Sequence, residues 1–382
     1  MKAIVNGKIY LNNEFVNDKV IIFEEKIIDI IDKDNFDSNN YEEVIDAKNN
    51  LILPGLIDVH IHGCKGHDVM DNSYEALKEI SNHILKNGVT SFLPTTMTMD
   101  KETILSTLNT IRDFKDNNKD GANVLGVHIE GPFISTKYKG AQNGVNIIKP
   151  DTELLKEYDE LIKIITVAPE EDDEDMSFIK EMTNRGINIS IGHTGADYDT
   201  ALKAYKNGAR GITHTFNAMT GLHHRNPGVL GAALNNDFYC EFICDNIHFN
   251  KVLYNMILKT KQEDKIVIIT DCMSAGGMPE GDYELGGQKV IMKNGKCLLS
   301  DGTIAGSTSK LNKGLNNFVE NSDISLEEAV KFATENPAKY INEFETRGSL
   351  DKGKYADIII TNEDIDVLYT IKDGRVLYHK ED

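Results

Sequence analysis

The segment LIDVHIHG (56–63) decides the fold that the rest of the chain is expected to build. It continues an apolar run that begins at Leu51, and short apolar runs bounded by turn residues are typical of buried strands. Because successive side chains of a strand point to opposite faces, His60 and His62 share one face. Two imidazoles on one face can hold a metal ion, or they can be two hydrogen-bonded histidines of a core. The metal interpretation therefore requires further ligands from elsewhere in the chain.

Seven more β-rich runs follow this segment at intervals of roughly 25–40 residues. They are FLPTT (92–96), VLGVHIE (124–130), IKIITVAPE (162–170), INISIGHT (187–194), GITHTFN (211–217), CEFICDNIH (240–248) and KIVIITD (265–271). Helix-like segments, such as SYEALKEISNHILKNG (73–88) and DYDTALKAYKNG (197–208), lie in several of the gaps. A strand followed by a helix, eight times over, predicts an α/β protein with a (β/α)8 barrel of the TIM type.

The two ends of the chain have a different texture, with short alternating strands around tight turns. AIVNGKIYL (3–11) turns at Asn-Gly, and VLYTIKDGRVLYH (367–379) is typical of a hairpin across Asp373-Gly374. Neither end alone has enough residues to bury a core. We therefore expect residues 1–52 and 346–382 to form one small β-sandwich domain beside a barrel over residues 53–345.

Charge and composition exclude several classes of partner. The net charge of −20 argues against nucleic acid and against an anionic membrane surface. The first residues, MKAIVNGKIY, lack the apolar core of a signal peptide, and no apolar run is long enough for a membrane span. The five cysteines are scattered and odd in number, which favours reduced thiols and a cytoplasmic location.

Histidine and carboxylate side chains recur at the ends of the proposed strands, where a (β/α)8 barrel has its active site. They are His60, His62, His128, Glu130, His193, His214, Asp245, His248 and Asp271. Such groups are costly to bury without partners, so their recurrence at one level of the barrel indicates a site. Nitrogen and oxygen ligands suit Zn²⁺ or Fe²⁺ acting as a Lewis acid. The sequence has neither a Gly-rich phosphate loop nor a Gly-x-Ser-x-Gly elbow, which leaves metal-assisted hydrolysis.

A set of motifs along nearly the whole chain resembles the N-acetylglucosamine-6-phosphate deacetylase family of the amidohydrolase superfamily. The motifs are HIEGPF (128–133), GHT (192–194), THTFNAM (213–219), HHRNPG (223–228), ICDNIH (243–248), TDCMSAGG (270–277), GTIAGST (302–308) and ENPAK (335–339). The resemblance implies a barrel with a split β domain and removal of acetate from N-acetyl-D-glucosamine 6-phosphate, in amino-sugar catabolism and cell-wall sugar recycling.

The resemblance also implies roles for individual residues. Glu130, His193 and His214 match the main metal ligands, and Asp271 matches the catalytic acid/base. Glu130 stands where many relatives that act on cyclic amides carry a carboxylated lysine. His60 and His62 imply a second ion, so one or two divalent ions are expected per subunit, zinc or iron first, with manganese, cobalt or nickel as alternatives.

The remaining implied roles concern the substrate. Arg225 and His248 match phosphate-binding positions, with Asn217 and Ala218 beside the phosphate, and His223 and Gln142 match positions that contact the sugar. The resemblance further implies a homodimer in which Arg225 reaches the neighbouring site. The Gly-rich stretch 274–287 is a candidate lid over the pocket.

Two other functions stay open on the sequence alone. One is an amidohydrolase that acts on a cyclic amide or on another N-acyl amino sugar, and the other is a non-enzymatic barrel kept as a scaffold. For single residues the plainer roles are an ordinary surface ion pair for Arg225 and a capped strand end for His248. His128 shares a strand face with Glu130 and is expected to support the site rather than to bind metal.

Overall fold

The computed structural model describes residues 1–380 and begins with seven strands that belong to two sheets. The strands are β1 (Lys2–Val5), β2 (Lys8–Leu11), β3 (Glu14–Val16), β4 (Lys19–Phe23), β5 (Ile27–Asp32), β6 (Glu43–Asp46) and β7 (Leu51–Pro54). Of the terminal domain expected from the sequence, residues 381 and 382 lie outside the described residues. The strand β7 runs past the predicted domain boundary at residue 52, because it pairs with strands from both ends of the chain.

The middle of the chain alternates strands and helices, as predicted. Its elements are β8 (Leu56–Ile61), β9 (Gly63–Cys64), β10 (His67–Asp68), α1 (Tyr74–Leu85), β11 (Val89–Pro94), α2 (Lys101–Asn117), β12 (Asn123–Val124), β13 (Val127–Glu130), β14 (Ile162–Val167), α3 (Ser177–Asn184), β15 (Asn188–Ile191), α4 (Tyr198–Lys206), β16 (Gly211–Ile212), α5 (Gly228–Asn235), β17 (Tyr239–Ile243), α6 (Tyr254–Thr260) and β18 (Ile266–Ile269). Each of the eight predicted strand segments overlaps a strand, although β16 has only two residues.

The last part of the chain adds a small sheet, three helices and the closing strands. These are β19 (Gly281–Leu285), β20 (Gln288–Lys293), β21 (Lys296–Leu298), α7 (Leu311–Glu320), α8 (Leu326–Ala329), α9 (Glu335–Tyr340), β22 (Ile358–Thr361), β23 (Val367–Lys372) and β24 (Arg375–His379). Short 3₁₀ turns lie at Lys33–Asn35, Ser38–Asn40, Val69–Asp71, Gly144–Asn146, Glu153–Tyr158, Pro169–Glu171, Lys251–Leu253, Glu263–Lys265 and Val330–Ala333.

The strands of the two chain ends form a four-stranded and a six-stranded sheet. Their orders are β5-β4-β1-β6 and β24-β23-β22-β7-β2-β3, so β7 and β22 join the two termini in one sheet. Buried apolar side chains of both sheets, among them Ile4, Phe23, Ile52 and Ile358, pack in one cluster. The termini therefore bury a core together, as neither could alone.

The central strands are parallel and form a curled sheet in a mixed α/β fold. Backbone hydrogen bonds pair them in two runs, β12-β11-β8 and β13-β14-β15-β16-β17-β18. Single parallel bridges join Thr95 to His128 and Ile61 to Cys272, and so link the ends of these runs. Because the strands are parallel, all their carboxyl ends lie at the same edge.

The connecting helices follow the predicted periodicity. In α1 the apolar residues Leu77, Ile80 and Ile84 are buried, and the Ser73 hydroxyl accepts a hydrogen bond from Ala76 N at the helix start. Gly88 follows the helix with a φ of +78°, the left-handed conformation that ends many helices. No helix among residues 1–380 is both long and apolar enough to cross a membrane.

A three-stranded antiparallel sheet beside the pocket is a feature that the sequence patterns do not predict. It consists of β19, β20 and β21, and its first turn, Gly286-Gly287, has both φ values positive. Leu285 at the end of β19 lines the pocket, and the Gln288 side chain donates a hydrogen bond to the carbonyl of Ala141. The Gly-rich stretch 274–287 is therefore partly a regular strand.

Candidate active site and metal centre

The ends of five strands bring six titratable side chains together in one cluster, and all of them except His60 line the pocket. His60 lies in β8 and His62 just after it, Glu130 ends β13, and His193, His214 and Asp271 each follow their strands by two residues. His193, His214 and Asp271 have φ values of +48°, +30° and +49°. A non-glycine residue in this region costs on the order of 1–3 kcal/mol, and such strain is typical of functional sites. All six side chains are buried, with Asp271 the most exposed at 8%.

One cluster within this group consists of Glu130, His193 and His214. Oε1 of Glu130 lies 3.2 Å from Nε2 of His193 and 3.0 Å from Nε2 of His214. The two histidine nitrogens are themselves 3.0 Å apart. The donor atoms of the three side chains predicted as the main metal ligands therefore lie close enough together to bind one metal ion.

His60 and His62 form the second cluster, which shares Glu130 with the first. Nε2 of His62 lies 3.2 Å from Oε2 of Glu130 and 3.2 Å from Oδ1 of Asp271. Nε2 of His60 lies 3.4 Å from Oε1 of Glu130 and 3.5 Å from Oδ1 of Asp271. The Glu130 carboxylate thus contacts four imidazoles, and Asp271 contacts those of His60 and His62.

The outer hydrogen bonds of the histidines fix which nitrogen faces the cluster. Nδ1 of His62 donates to the carbonyl of Thr95 at 3.2 Å, and Nδ1 of His193 donates to the carbonyl of Tyr138 at 3.1 Å. Because a carbonyl oxygen only accepts, the proton sits on Nδ1 and the Nε2 lone pair is available to a cation. Four imidazole nitrogens and two carboxylate oxygens thus match the donor set of a divalent metal.

Electrostatics within the cluster are strongly coupled. Burial alone would lower the pKa of His62, but hydrogen bonds to Asp271 and Glu130 raise it to about 9. Burial would raise the pKa of Asp271, yet His60 and His62 bring it down to about 2. Glu130 behaves in the same way, and the surrounding histidines hold its pKa well below its usual range. Both carboxylates are therefore ionised, and a divalent cation that binds here displaces protons from the histidines.

Comparisons with known proteins agree with this geometry. The model of the "Amidohydrolase family" matches residues 51–377. The N-acetylglucosamine-6-phosphate deacetylase of Bacillus subtilis (strain 168) is 40% identical over 345 residues, which cover 88% of this chain and 87% of the relative. The chain belongs to the amidohydrolase family. This assignment confirms the resemblance stated from the sequence motifs.

Two further similarities bear on this amidohydrolase. The crystal structure of N-acetylglucosamine-6-phosphate deacetylase from Pasteurella multocida superposes with a TM-score of 0.94, at 30% identity, covering 99% of this chain and 100% of that one. The N-acetylgalactosamine-6-phosphate deacetylase of Escherichia coli O157:H7 is 33% identical over 323 residues, covering 83% of this chain and 85% of the relative.

Four of the predicted substrate residues of this amidohydrolase line the pocket, whose volume is about 370 Å³: Gln142, Asn217, Ala218 and His248. The Gln142 amide donates to Oε2 of Glu130, and its oxygen accepts from Thr98 N at 2.7 Å. Gln142 therefore orients Glu130, in addition to the sugar contact expected from the sequence. Burial would lower the pKa of His248, but the Asp245 carboxylate, 2.8 Å from its Nδ1, raises it.

The other two predicted substrate residues lie outside the pocket of the same chain. His223 and Arg225 are exposed, and Nη1 of Arg225 lies 2.8 Å from Nε2 of His224. The structure of one chain therefore does not bring Arg225 together with His248. Its role, and that of His223, stays a prediction.

Several residues of the site escape prediction from the sequence. Lys137, Met97, Leu285 and Ile304 line the pocket from loops and from the small sheet. Glu241 lies in the middle of β17, fully buried, with Oε2 3.0 Å from Nδ1 of His60. A single carboxylate between the apolar side chains of CEFIC (240–244) is the available signal, since burial of such a group requires a partner.

Proposed function

We propose that this amidohydrolase hydrolyses the acetamide of N-acetyl-D-glucosamine 6-phosphate to glucosamine 6-phosphate and acetate, in amino-sugar catabolism and cell-wall sugar recycling. The observation that carries the proposal is the convergence of four histidines on Glu130 and Asp271 beside one pocket, which both carboxylates line. Relatives named N-acetylglucosamine-6-phosphate deacetylase that are at least 30% identical over most of the chain support the choice of substrate.

The proposed metal ligands follow from the two clusters. Glu130, His193 and His214 would hold one divalent ion, and His60 and His62 together with Glu130 would hold a second. We propose zinc or iron as the resident metal, with manganese, cobalt or nickel as alternatives. When bound, a divalent cation supplies Lewis acidity, which polarises the amide carbonyl and acidifies a water molecule.

Asp271 is the proposed general acid and base. Its carboxylate is ionised and lines the pocket, so it can accept the proton of the attacking water. The hydroxide adds to the carbonyl carbon, the C–N bond breaks, and Asp271 returns the proton to the leaving nitrogen. Proton return is required because an amide nitrogen leaves readily only when it is protonated.

The phosphate is proposed to lie at the side of the pocket lined by Asn217, Ala218 and His248. The raised pKa of His248 favours the charged ring, which can make a charge-assisted bond to a phosphate oxygen. Gln142 and His223 are proposed to contact the sugar. We also propose a homodimer in which Arg225 completes the phosphate site of the neighbouring chain, because Arg225 is exposed outside its own pocket.

The proposal extends to architecture and location. We propose that the parallel strands close into one (β/α)8 barrel over residues 53–345, supported by the bridge between Ile61 and Cys272. Residues 1–52 and 346–382 are proposed as a β-sandwich, supported by their shared core. The five cysteines are free and buried, which supports a reducing, cytoplasmic environment.

N-Acetyl-D-galactosamine 6-phosphate is a second candidate substrate, because a relative named for it is 33% identical. The two sugars differ only in the configuration at one ring carbon, so the same metal site and acid/base could serve both. The substrates of amidohydrolases that open cyclic amides are less favoured, since the resemblance of the motifs matches Glu130 to the position of the carboxylated lysine in many of those enzymes.

Acetate release by purified protein tests the proposal. The protein is stripped with a chelator and reloaded separately with Zn²⁺, Fe²⁺, Mn²⁺, Co²⁺ or Ni²⁺. Each form is assayed with both 6-phosphates and with unphosphorylated N-acetylglucosamine. We expect metal-dependent acetate release, fastest from N-acetylglucosamine 6-phosphate. Faster release from the galactose epimer would assign the second candidate, and release that ignores the 6-phosphate would overturn both.

A further inference from the structure

The buried carboxylate of Glu241 touches both halves of the candidate metal centre. Its Oε2 lies 3.0 Å from Nδ1 of His60 and also accepts a hydrogen bond from the backbone N of His214 at 3.4 Å. The backbone carbonyl of Glu241 accepts from Thr215 N at 2.7 Å. Glu241 therefore holds the ring of one proposed ligand and the strained backbone of another, whose φ is +30°.

The partner of His60 differs in kind from those of the neighbouring histidines. Nδ1 of His62 and of His193 bonds to a backbone carbonyl, whereas Nδ1 of His60 bonds to a carboxylate. A carboxylate that accepts the Nδ1 proton fixes the tautomer in which Nε2 carries the free lone pair. It also makes the ring a stronger metal ligand than a neutral carbonyl acceptor would. Nε2 of His60 points at the cluster, 3.3 Å from Nε2 of His62.

A third metal site among His60, His128 and Glu241 is the competing interpretation of the same residues. Both nitrogens of His128 are already committed, Nδ1 to the carbonyl of Val59 at 3.0 Å and Nε2 to the Thr166 hydroxyl at 2.7 Å. His128 instead packs edge-on against the His60 ring, with centroids 4.6 Å apart. These contacts leave Glu241 with the role of orienting His60.

We propose that Glu241 is a positioning residue that sets the tautomer and the metal affinity of His60. The inference rests on the metal centre of the proposed function, and it does not depend on which acylated sugar is the substrate. If Glu241 has this role, His60 and His62 are metal ligands and not merely two hydrogen-bonded histidines of the core.

Two substitutions separate the charge of Glu241 from its shape. In Glu241→Gln the amide oxygen can keep both bonds of Oε2, and the amide nitrogen takes the place of Oε1, which accepts no hydrogen bond within residues 1–380. Glu241→Leu removes both bonds. The matched control is Ser190→Ala, which removes a fully buried hydroxyl bonded to Thr213 at 2.6 Å.

The readout is Zn²⁺ binding to the metal-free full chain in competition with a chromophoric chelator, which gives both the number of ions and their affinities. We expect Glu241→Gln to weaken the ion that depends on His60 by about 10-fold and Glu241→Leu by up to about 100-fold. Ser190→Ala should bind like the wild type. Thermal unfolding of each metal-free variant identifies any that fail to fold. If Glu241→Leu fails to fold, the comparison of Glu241→Gln with the wild type still tests the proposal.

A double-mutant cycle with His60→Ala distinguishes positioning from a general structural role. If Glu241 acts through His60, Glu241→Gln should change Zn²⁺ affinity by no more than about twofold once the His60 ring is absent. An equal loss in both backgrounds, or no loss in either, would overturn the inference. Failure of the proposed function looks different, because Zn²⁺ binding would then follow this pattern while no acetate is released.

Discussion

At the scale of single residues, Asp271 is the sharpest test of the chemistry. Its N–H bonds to the carbonyl of His60 at 2.8 Å, and its carbonyl accepts from Ser307 N at 2.7 Å, so its backbone is held in the left-handed conformation from both sides. Asp271→Asn keeps the shape but cannot carry a proton between water and the leaving nitrogen. We expect turnover to fall at least ~10²-fold.

Metal analysis and thermal unfolding of Asp271→Asn supply the controls for this prediction. Bound metal and melting temperature should stay at the wild-type level, because the proposed ligands are untouched. Near-normal turnover would remove Asp271 from its proposed role, and loss of metal would make it a ligand instead.

His83, which does not line the pocket of the metal centre, gives a prediction about pH. Burial in α1, together with the positive charges of Lys65, Lys86 and Lys310, lowers its pKa from 6.5 to about 4. The unfolded chain therefore binds a proton below pH 6.5 that the folded chain does not accept until about pH 4. This site contributes no penalty above pH 6.5, and it destabilises the folded state progressively as the pH falls through that window.

The variant His83→Gln removes this one titration. We expect the melting temperature of the wild type to fall relative to that of His83→Gln between pH 6.5 and about pH 4, and the gap to be constant above about pH 7. A difference in melting temperature between the two proteins that does not change with pH would show that His83 is not held neutral by its surroundings.

The sequence can indicate which side chains lie close together where each stands at the end of a strand. The predicted side chains His60, His62, Glu130, His193, His214 and Asp271 come together because parallel strands end at one edge. Glu241 escapes prediction, since nothing local distinguishes a functional buried glutamate from a satisfied one. Its meaning depends on the contact with His60, 181 positions away in the sequence.

At the scale of elements, regular strands are predictable and the small sheet is not. The hairpin at Asp373-Gly374 forms as expected, with positive φ at both residues. The turn at Asn6-Gly7, with positive φ at Asn6, instead carries the chain from β1 in one sheet to β2 in the other. The same turn signals occur at Gly286-Gly287 and Asn294-Gly295, where β19, β20 and β21 turn. These signals are ambiguous in the sequence because a Gly-rich stretch after the last strand of the parallel sheet also fits a lid.

A hydrogen bond between Asp58 of β8 and Thr270, which follows β18, leads to a prediction about stability. Thr270 Oγ1 donates to Oδ2 of the buried Asp58 at 2.6 Å and accepts from Cys272 N at 3.2 Å. Thr270→Val deprives an enclosed carboxylate of its hydroxyl partner. Hydrogen bonds to charged groups contribute about 1.5–3 kcal/mol, so the free energy of unfolding should fall by that amount in urea titrations of the metal-free protein.

Thr90→Val is the matched control for Thr270→Val. Thr90 is also buried in a strand, at 1% exposure, but its hydroxyl makes no hydrogen bond within residues 1–380. The same change should leave stability unchanged or raise it, because no partner loses a bond. If the two variants lose equal stability, the cost comes from the shape of valine and not from the bond to Asp58.

At the scale of the whole molecule, the order of strands along the chain is the strongest signal. A strand-and-helix repeat has few ways to bury both faces of a parallel sheet, so the α/β class follows from periodicity. The pairing of the chain ends follows from their insufficient cores. Contacts between chains leave no such periodic pattern, and the proposed role of Arg225 at a neighbouring subunit therefore comes from the resemblance and from its exposure outside its own pocket.

The final prediction concerns how a chain with a net charge of −20 selects a phosphorylated sugar. The negative net charge repels a phosphorylated substrate at long range, so recognition requires hydrogen-bond donors close to the phosphate. A guanidinium can bind two phosphate oxygens at once. A charge-assisted bond contributes roughly 1.5–3 kcal/mol, so Arg225→Ala should raise KM for the 6-phosphate about ten- to over a hundredfold. Hydrolysis of unphosphorylated N-acetylglucosamine should stay unchanged. Arg210→Ala, which removes another exposed arginine, is the control.

Mixing of variants decides which chain's phosphate site Arg225 serves. Arg225→Ala subunits keep Asp271, and Asp271→Asn subunits keep Arg225, so a mixed dimer would contain one complete site only if Arg225 acts across the interface. Activity should then rise above that of either variant once subunits have exchanged, as monitored with differently tagged chains. Exchange without recovery of activity would place Arg225 at the site of its own chain. The exposed loop would then have to fold back toward His248, because in the single chain Arg225 contacts His224 rather than the pocket.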